Sequence, residues 1–132
     1  MKRPLSTAAF LLSATLLFVQ CKKEPSDAVF DVQFYTPQSA TQMYLYLEGD
    51  SIGALPYLAA EPTCGSTATD GVAPLHKQLR AGSYRIVGKD SQGAVRSSGT
   101  FRIDTGAMGA SGNIGGLMIS GKETCVSVGL FF

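Results

Sequence analysis

The sequence predicts an all-β protein: a single small antiparallel β-sandwich of seven or eight strands that follows an N-terminal export segment. Three observations predict this fold class. The 132 residues include 15 glycines, short runs rich in Val, Ile, Tyr and Phe alternate between apolar and polar residues, and turn-forming residues separate these runs at hairpin spacing. Few runs favour a helix. A chain of this length is expected to form one domain with a modest core.

Three strands are predicted in the first part of the domain. Residues 28–35 alternate between apolar and polar side chains, which predicts a strand with one buried face. Residues 42–48 repeat this pattern, and a tight turn at residues 49–51 leads into a short third strand over residues 52–55. These runs therefore predict one strand followed by a hairpin.

The middle of the chain combines a loop with further strands. Residues 61–74 are rich in Thr, Ser, Gly, Ala and Pro and are predicted to form a loop. A short strand over residues 75–79 follows it. Residues 84–89 and 95–103 are predicted to form a second hairpin, because residues 90–93 have the Asp-Ser-Gln-Gly composition of a turn.

The last third of the domain is glycine-rich. Residues 104–123 are predicted to be mostly irregular, with one short strand over residues 117–119. Residues 106–116 superficially match a phosphate-binding loop. Such a loop needs a helix after it and usually a Lys-Ser/Thr pair, so a mobile glycine-rich connection is the favoured interpretation. Residues 124–132 alternate again and predict the closing strand.

The charge balance excludes nucleic acid as a partner. The chain has 11 basic and 10 acidic side chains. Loss of Lys2 and Arg3 with the export segment leaves nine basic side chains against ten acidic ones. Binding of nucleic acid requires Lys and Arg clustered on one face, whereas the charges here are scattered and nearly balanced.

The N-terminus has the pattern of a secretory signal. Lys2 and Arg3 are followed by a largely apolar run over residues 5–19. A run of about 15 residues is short for a membrane-spanning helix, which needs roughly 20. Cleavage after export is the favoured interpretation, and an uncleaved N-terminal anchor is the alternative.

Cys21 follows this apolar run directly. The stretch resembles the lipobox of bacterial lipoproteins, with Leu17 and Val19 at suitable positions and Gln20 in place of the usual small residue. Lys22-Lys23-Glu24 is similar to the start of many lipoproteins of the Bacteroidetes type. This resemblance implies cleavage before Cys21, acylation of its sulfur and transport to the outer face of the outer membrane. Two or three acyl chains hold a protein stably on a bilayer.

Three segments are expected from these features: a signal peptide over residues 1–20, a lipidated polar tether over residues 21–27 and the sandwich domain over residues 28–132. The expected location is the cell envelope. The outer membrane is the favoured membrane, with the domain facing the periplasm or the surface. The membrane itself is then a partner, through the lipid on Cys21.

Cys64 and Cys125 remain once Cys21 is acylated. An even pair of cysteines in an oxidising compartment predicts a disulfide. Metal-binding cysteines usually come in closely spaced pairs, and neither residue has a Cys or His within four positions. A structural disulfide is therefore predicted, and a reactive thiol or a metal ligand is the alternative.

A short stretch carries a second resemblance. Residues 79–84, Leu-Arg-Ala-Gly-Ser-Tyr, resemble the Leu-x-x-Gly-x-Tyr signature of transthyretin-like and carboxypeptidase-regulatory-like sandwiches. Residues 46–53 are similar to a hairpin of the same group. In those domains the leucine ends one strand and the tyrosine begins the next. The resemblance implies a fold, and such folds support many functions.

Candidate chemistry is sparse. His76 is the only histidine, and its polar surroundings predict a solvated strand position instead of a catalytic or zinc-binding one. The acidic residues form no close pair and no calcium-binding pattern, so no catalytic residue, metal or cofactor is predicted. Tyr44 and Tyr46 share one strand face. They are the best candidates for a platform that stacks on sugars, although strand tyrosines are often simply half-buried.

Two functions from different classes are expected from these observations. The favoured one is a non-enzymatic, lipid-anchored protein of the cell envelope that presents its loops to an envelope or surface partner. The alternative is a small extracellular module that binds a glycan or another ligand through Tyr44 and Tyr46.

Overall fold

The computed structural model describes residues 28–64, 71–105 and 108–132. These residues form nine β-strands and no α-helix, so no helix among them is long and apolar enough to cross a membrane. The strands are β1 (Val29–Tyr35), β2 (Met43–Leu47), β3 (Asp50–Leu55), β4 (Leu75–Arg80), β5 (Gly82–Asp90), β6 (Val95–Ile103), β7 (Met108–Ile114), β8 (Gly116–Lys122) and β9 (Cys125–Phe131). The predicted signal peptide, tether and Cys21 lie outside the described residues.

The strands form two sheets that pack face to face. The first sheet has the order β4-β1-β9-β8, and the second has the order β3-β2-β5-β6-β7. Their inner faces share one apolar core, in which Phe34 of the first sheet meets Phe101 of the second edge to face, with ring centroids 5.9 Å apart. The all-β sandwich class is confirmed.

Two details of the prediction were wrong. The described chain has nine strands instead of seven or eight, and β1 runs parallel to β9, so the sandwich is not wholly antiparallel. The additional strand is β7. It lies within the glycine-rich segment that was predicted to be a mobile, mostly irregular connection.

Close packing explains why this segment is ordered despite its glycines. β7 pairs with β6 over Met108–Ile114, and β8 pairs with β9 over Gly116–Lys122. A Cβ added at Gly99 of β6 would overlap the carbonyl oxygen of Ser111 and lie 2.5 Å from Cδ1 of Leu117. The glycines here allow β6, β7 and β8 to approach one another. Gly106 and Ala107 lie outside the described residues.

Two of the predicted turns are found, one of them shifted by one residue from its predicted position. The β2–β3 turn is formed by Glu48 and Gly49, whose φ angles are 50° and 85°, one position earlier than predicted. Two positive φ angles are the requirement of the hairpin turn whose twist matches the strands. The turn at residues 90–93 is confirmed: Oδ1 of Asp90 accepts hydrogen bonds from the backbone N–H groups of Gln92 and Ala94, at 3.0 and 2.9 Å.

The Leu-x-x-Gly-x-Tyr stretch forms the connection from β4 to β5. Leu79 is buried near the end of β4, and Tyr84 lies near the start of β5. The Tyr84 hydroxyl donates a 2.6 Å hydrogen bond to the carbonyl of Arg80, and its ring stacks on Phe101 with centroids 5.5 Å apart. The connection therefore joins the two sheets directly.

Candidate functional site

The outer face of the second sheet carries the predicted tyrosine platform. Tyr44 and Tyr46 project from β2 on the side opposite the buried Met43, Leu45 and Leu47. Tyr44 is 38% exposed. Tyr46 is half-buried, and Nζ of Lys89 lies 4.5 Å from the centroid of its ring. A cation in that position occupies the face that a sugar would need, so the open aromatic surface comes mainly from Tyr44.

His76 lies on β4 and is exposed, as predicted. Its Nδ1 is 3.1 Å from Oδ1 of Asp31 on the neighbouring strand, and both side chains are solvent-accessible. Across the described ranges, no group of three or more His, Cys, Asp or Glu side chains is placed to hold a metal ion. The His76–Asp31 pair is thus an exposed cross-strand contact, which contributes little to stability.

The Cys64–Cys125 disulfide is confirmed. The S–S distance is 2.04 Å and the Cα atoms are 5.8 Å apart. The bond joins a coil segment to the first residue of β9. We call residues 56–64, which precede and include Cys64, the strap. Cys21 lies outside the described residues, and its acylation stays a prediction.

The strap lies over the outer face of the first sheet. Backbone hydrogen bonds of 2.9 Å join Thr36 to Pro56 and to Leu58 at one end of the strap. At the other end, the Ser120 hydroxyl bonds to the Glu61 carboxylate. The Ser127 hydroxyl makes a longer, 3.4 Å bond to the carbonyl of Pro62. With the disulfide, these contacts hold the strap against β1, β8 and β9.

This cover buries residues that the alternating pattern assigned to a polar face. Gln33 and Tyr35 of β1 are almost completely buried, although they point away from the main core. Tyr35 packs against Gly129, where an added Cβ would lie 3.0 Å from the ring. Burial, together with the nearby charge of Glu61, raises the pKa of the Tyr35 hydroxyl. Both amide atoms of Gln33 are buried without a hydrogen-bond partner.

Strand direction places the chain's loops at two ends of the sandwich. β1 and β9 are parallel, so the start of β1 and the Lys122–Cys125 connection lie at one end, where the predicted tether enters. The opposite end carries the β1–β2 connection, the β5–β6 connection, the end of β7 with Gly115, and both ends of the longer β3–β4 connection. We call residues 36–42, 91–94 and 113–115 the tip.

Contacts around the end of β9 join the tip connections. The backbone N–H of Phe132 donates a hydrogen bond to Oε1 of Gln38. An added Cβ at Gly115 would overlap the carbonyl oxygen of Phe131 and lie 3.1 Å from that of Arg96. None of the tip residues is charged, and Ile114 is 49% exposed. The side chains of the tip are therefore uncharged and include an exposed apolar one, and the Asp90–Arg96 pair flanks residues 91–94.

The search among known proteins gives no relative from which a function can be transferred: no protein-family model, no curated protein sequence and no solved structure matches the chain.

Proposed function

We propose that this protein is a non-enzymatic, lipid-anchored domain of the cell envelope that presents its tip to an envelope or surface partner. The observation that supports this most directly is the placement of the tip at the end of the sandwich opposite the start of β1. A lipid on Cys21 holds the start of β1 near the bilayer, because only the polar residues 22–27 and Ala28 separate the two. The tip then points away from the membrane.

The chemistry of the tip indicates how a partner is recognised. Its amide and hydroxyl side chains offer hydrogen bonds, and Ile114 offers an apolar contact. Without charged residues, binding at the tip depends little on ionic strength, because salt screens charge–charge attraction. The partner surface is accordingly polar but uncharged around an apolar pocket.

Replacement of Cys21 by Ser tests the anchor. The variant should move from the membrane fraction to the soluble fraction, because it lacks the sulfur that carries the acyl chains. The wild-type protein from the same membranes should have Cys21 as its first residue and a lipid adduct in its intact mass. The variant Lys77→Met keeps Cys21 and the disulfide and serves as the control for membrane retention. A wild-type mass that still includes residues 1–20 would end the lipoprotein proposal.

Co-purification of the full chain after cross-linking in its own membranes tests the role of the tip. The variant Ile114→Asp should recover at least tenfold less partner than wild type, because it introduces a charge into an uncharged contact. Val29→Asp is the matched control: Val29 is also a strand residue, is 45% exposed and lies at the opposite end. Equal recovery of a partner by all three proteins would remove the tip from the proposal.

A second candidate function uses the outer face of the second sheet. The exposed ring of Tyr44, beside Tyr46 and Lys89, is the observation that favours a small glycan- or ligand-binding module. The cross-linking experiment separates the two candidates. If the variant Tyr44→Ala/Tyr46→Ala loses the captured partner and Ile114→Asp keeps it, this face is the binding surface.

A further inference from the structure

A cavity lies between the strap and the first sheet. Its volume is about 390 Å³, within the range of about 300–1,000 Å³ that small-molecule sites occupy. The cavity is bounded by the end of the strap on one side and by β8 and β9 on the other. Its lining includes the side chains of Glu61, Ser120, Lys122 and Ser127.

Two opposite charges line this cavity without pairing to each other. Glu61 belongs to the strap and Lys122 ends β8, and no ion pair joins them in the part of the chain that the structure describes. The Glu61 carboxylate accepts a hydrogen bond from Ser120, which fixes its position at the wall. One negative and one positive side chain therefore line the same cavity without a salt bridge between them.

A row of neutral polar side chains lies along the wall. Ser120 pairs with Ser127 across β8 and β9, and Ser127 pairs with Gln33 across β9 and β1, so all three project from the same face. Gln33 is fully buried, and neither its Nε2 nor its Oε1 has a hydrogen-bond partner. Gln33 lies next to Ser127 on this face and does not line the cavity, so only the two serines of this row are polar groups of the cavity wall.

We propose that this cavity binds a small zwitterion of the amino-acid or dipeptide class. Glu61 receives the ammonium group of the ligand and Lys122 receives its carboxylate, while the Ser120 hydroxyl, whose proton is donated to Glu61, accepts a hydrogen bond from an N–H group between them. A singly charged ligand leaves one of the two protein charges unmatched, and a neutral polyol leaves both. This site is separate from the tip and does not depend on the proposed function.

Glycylglycine and two blocked forms of it provide the matched probes. Calorimetric titration of the full-length chain should show binding of glycylglycine. N-acetylglycylglycine, which lacks the ammonium group, and glycylglycine amide, which lacks the carboxylate, should each bind at least tenfold more weakly, because each loses one charge-assisted contact. Equal binding of all three probes, or no binding of glycylglycine, would overturn the proposal.

Variants locate the binding to this cavity. Glu61→Gln keeps a hydrogen-bond acceptor for Ser120, and Lys122→Met keeps the length of the side chain. Both should weaken glycylglycine binding at least tenfold. Lys77→Met removes an exposed lysine of β4 outside the cavity and should bind like wild type. Ile114→Asp should also bind normally, which separates this site from the tip. Wild-type affinity in both Glu61→Gln and Lys122→Met would refute the assignment.

Discussion

Replacing Cys64 and Cys125 together by serine is expected to lower the free energy of unfolding by about 4 kcal/mol. The disulfide spans 61 positions of sequence, and in the chain-entropy model a closed loop of this size removes that much conformational freedom from the unfolded state. The free energy of unfolding of a small domain is only about 5–15 kcal/mol in total, so this loss is a large share of its stability. Chemical denaturation of the oxidised protein and of the double variant measures the difference.

Removal of the disulfide is also expected to lower the midpoint of thermal unfolding by a large amount. A loss of about 1 kcal/mol lowers the midpoint of a domain of roughly 100 residues by about 4–8 °C, so a shift of roughly 15–30 °C is expected. Reduced wild-type protein should match the double variant, and the reductant should leave the double variant unchanged. If the double variant has the same thermal midpoint as the oxidised wild type, the contacts of the strap are sufficient without the covalent bond.

The half-buried strands are the part of the fold that sequence predicts well. β6 was expected at residues 95–103 and is found at Val95–Ile103, and β2 buries Met43, Leu45 and Leu47 on one face as its alternation predicts. In an antiparallel pair with one face on the core, the side-chain period of two is visible directly in the sequence. These strands need no information from distant residues.

The burial of the outer face of β1 could not be predicted from alternation. Gln33 and Tyr35 occupy positions that alternation assigns to solvent, and they are buried because the strap lies over them. The strap begins more than 20 residues later in the chain and contains no strand pattern of its own. The parallel pairing of β1 with β9 joins the two ends of the domain, and local sequence carries no signal for it.

The cysteine pair was predictable by counting, and it also contains a signal for the cavity. Glu61 precedes Cys64 by three positions, and Lys122 precedes Cys125 by three. A disulfide brings its flanking residues together, so these two charges are candidates for one site as soon as the bond is assigned. The pairing of Cys64 with Cys125 was predicted only as a covalent staple, and Tyr44 and Tyr46 are placed by strand alternation alone.

Gly99→Ala and Gly109→Ala are expected to have different effects on the free energy of unfolding, although the two glycines lie in neighbouring strands of the second sheet. At Gly99 the added methyl group meets the backbone of Ser111 and the side chain of Leu117. Relief requires movement of β7 away from β6, so a loss of about 1–3 kcal/mol or more in the free energy of unfolding is expected. At Gly109 no heavy atom lies within 4 Å of the added group.

Alanine at position 109 should leave stability unchanged or raise it by up to about 1 kcal/mol, because it restricts the unfolded chain more than glycine does. Denaturant unfolding of the two variants, with the oxidised wild type as reference, measures both effects. If neither variant changes the midpoint, β6, β7 and β8 are not closely packed and the segment is the mobile connection that its composition suggests. If only Gly99→Ala lowers the free energy of unfolding, the missing side chain at residue 99 is what allows close contact between the strands. Stability at residue 109 then does not depend on the flexibility of glycine, because a methyl group there changes nothing.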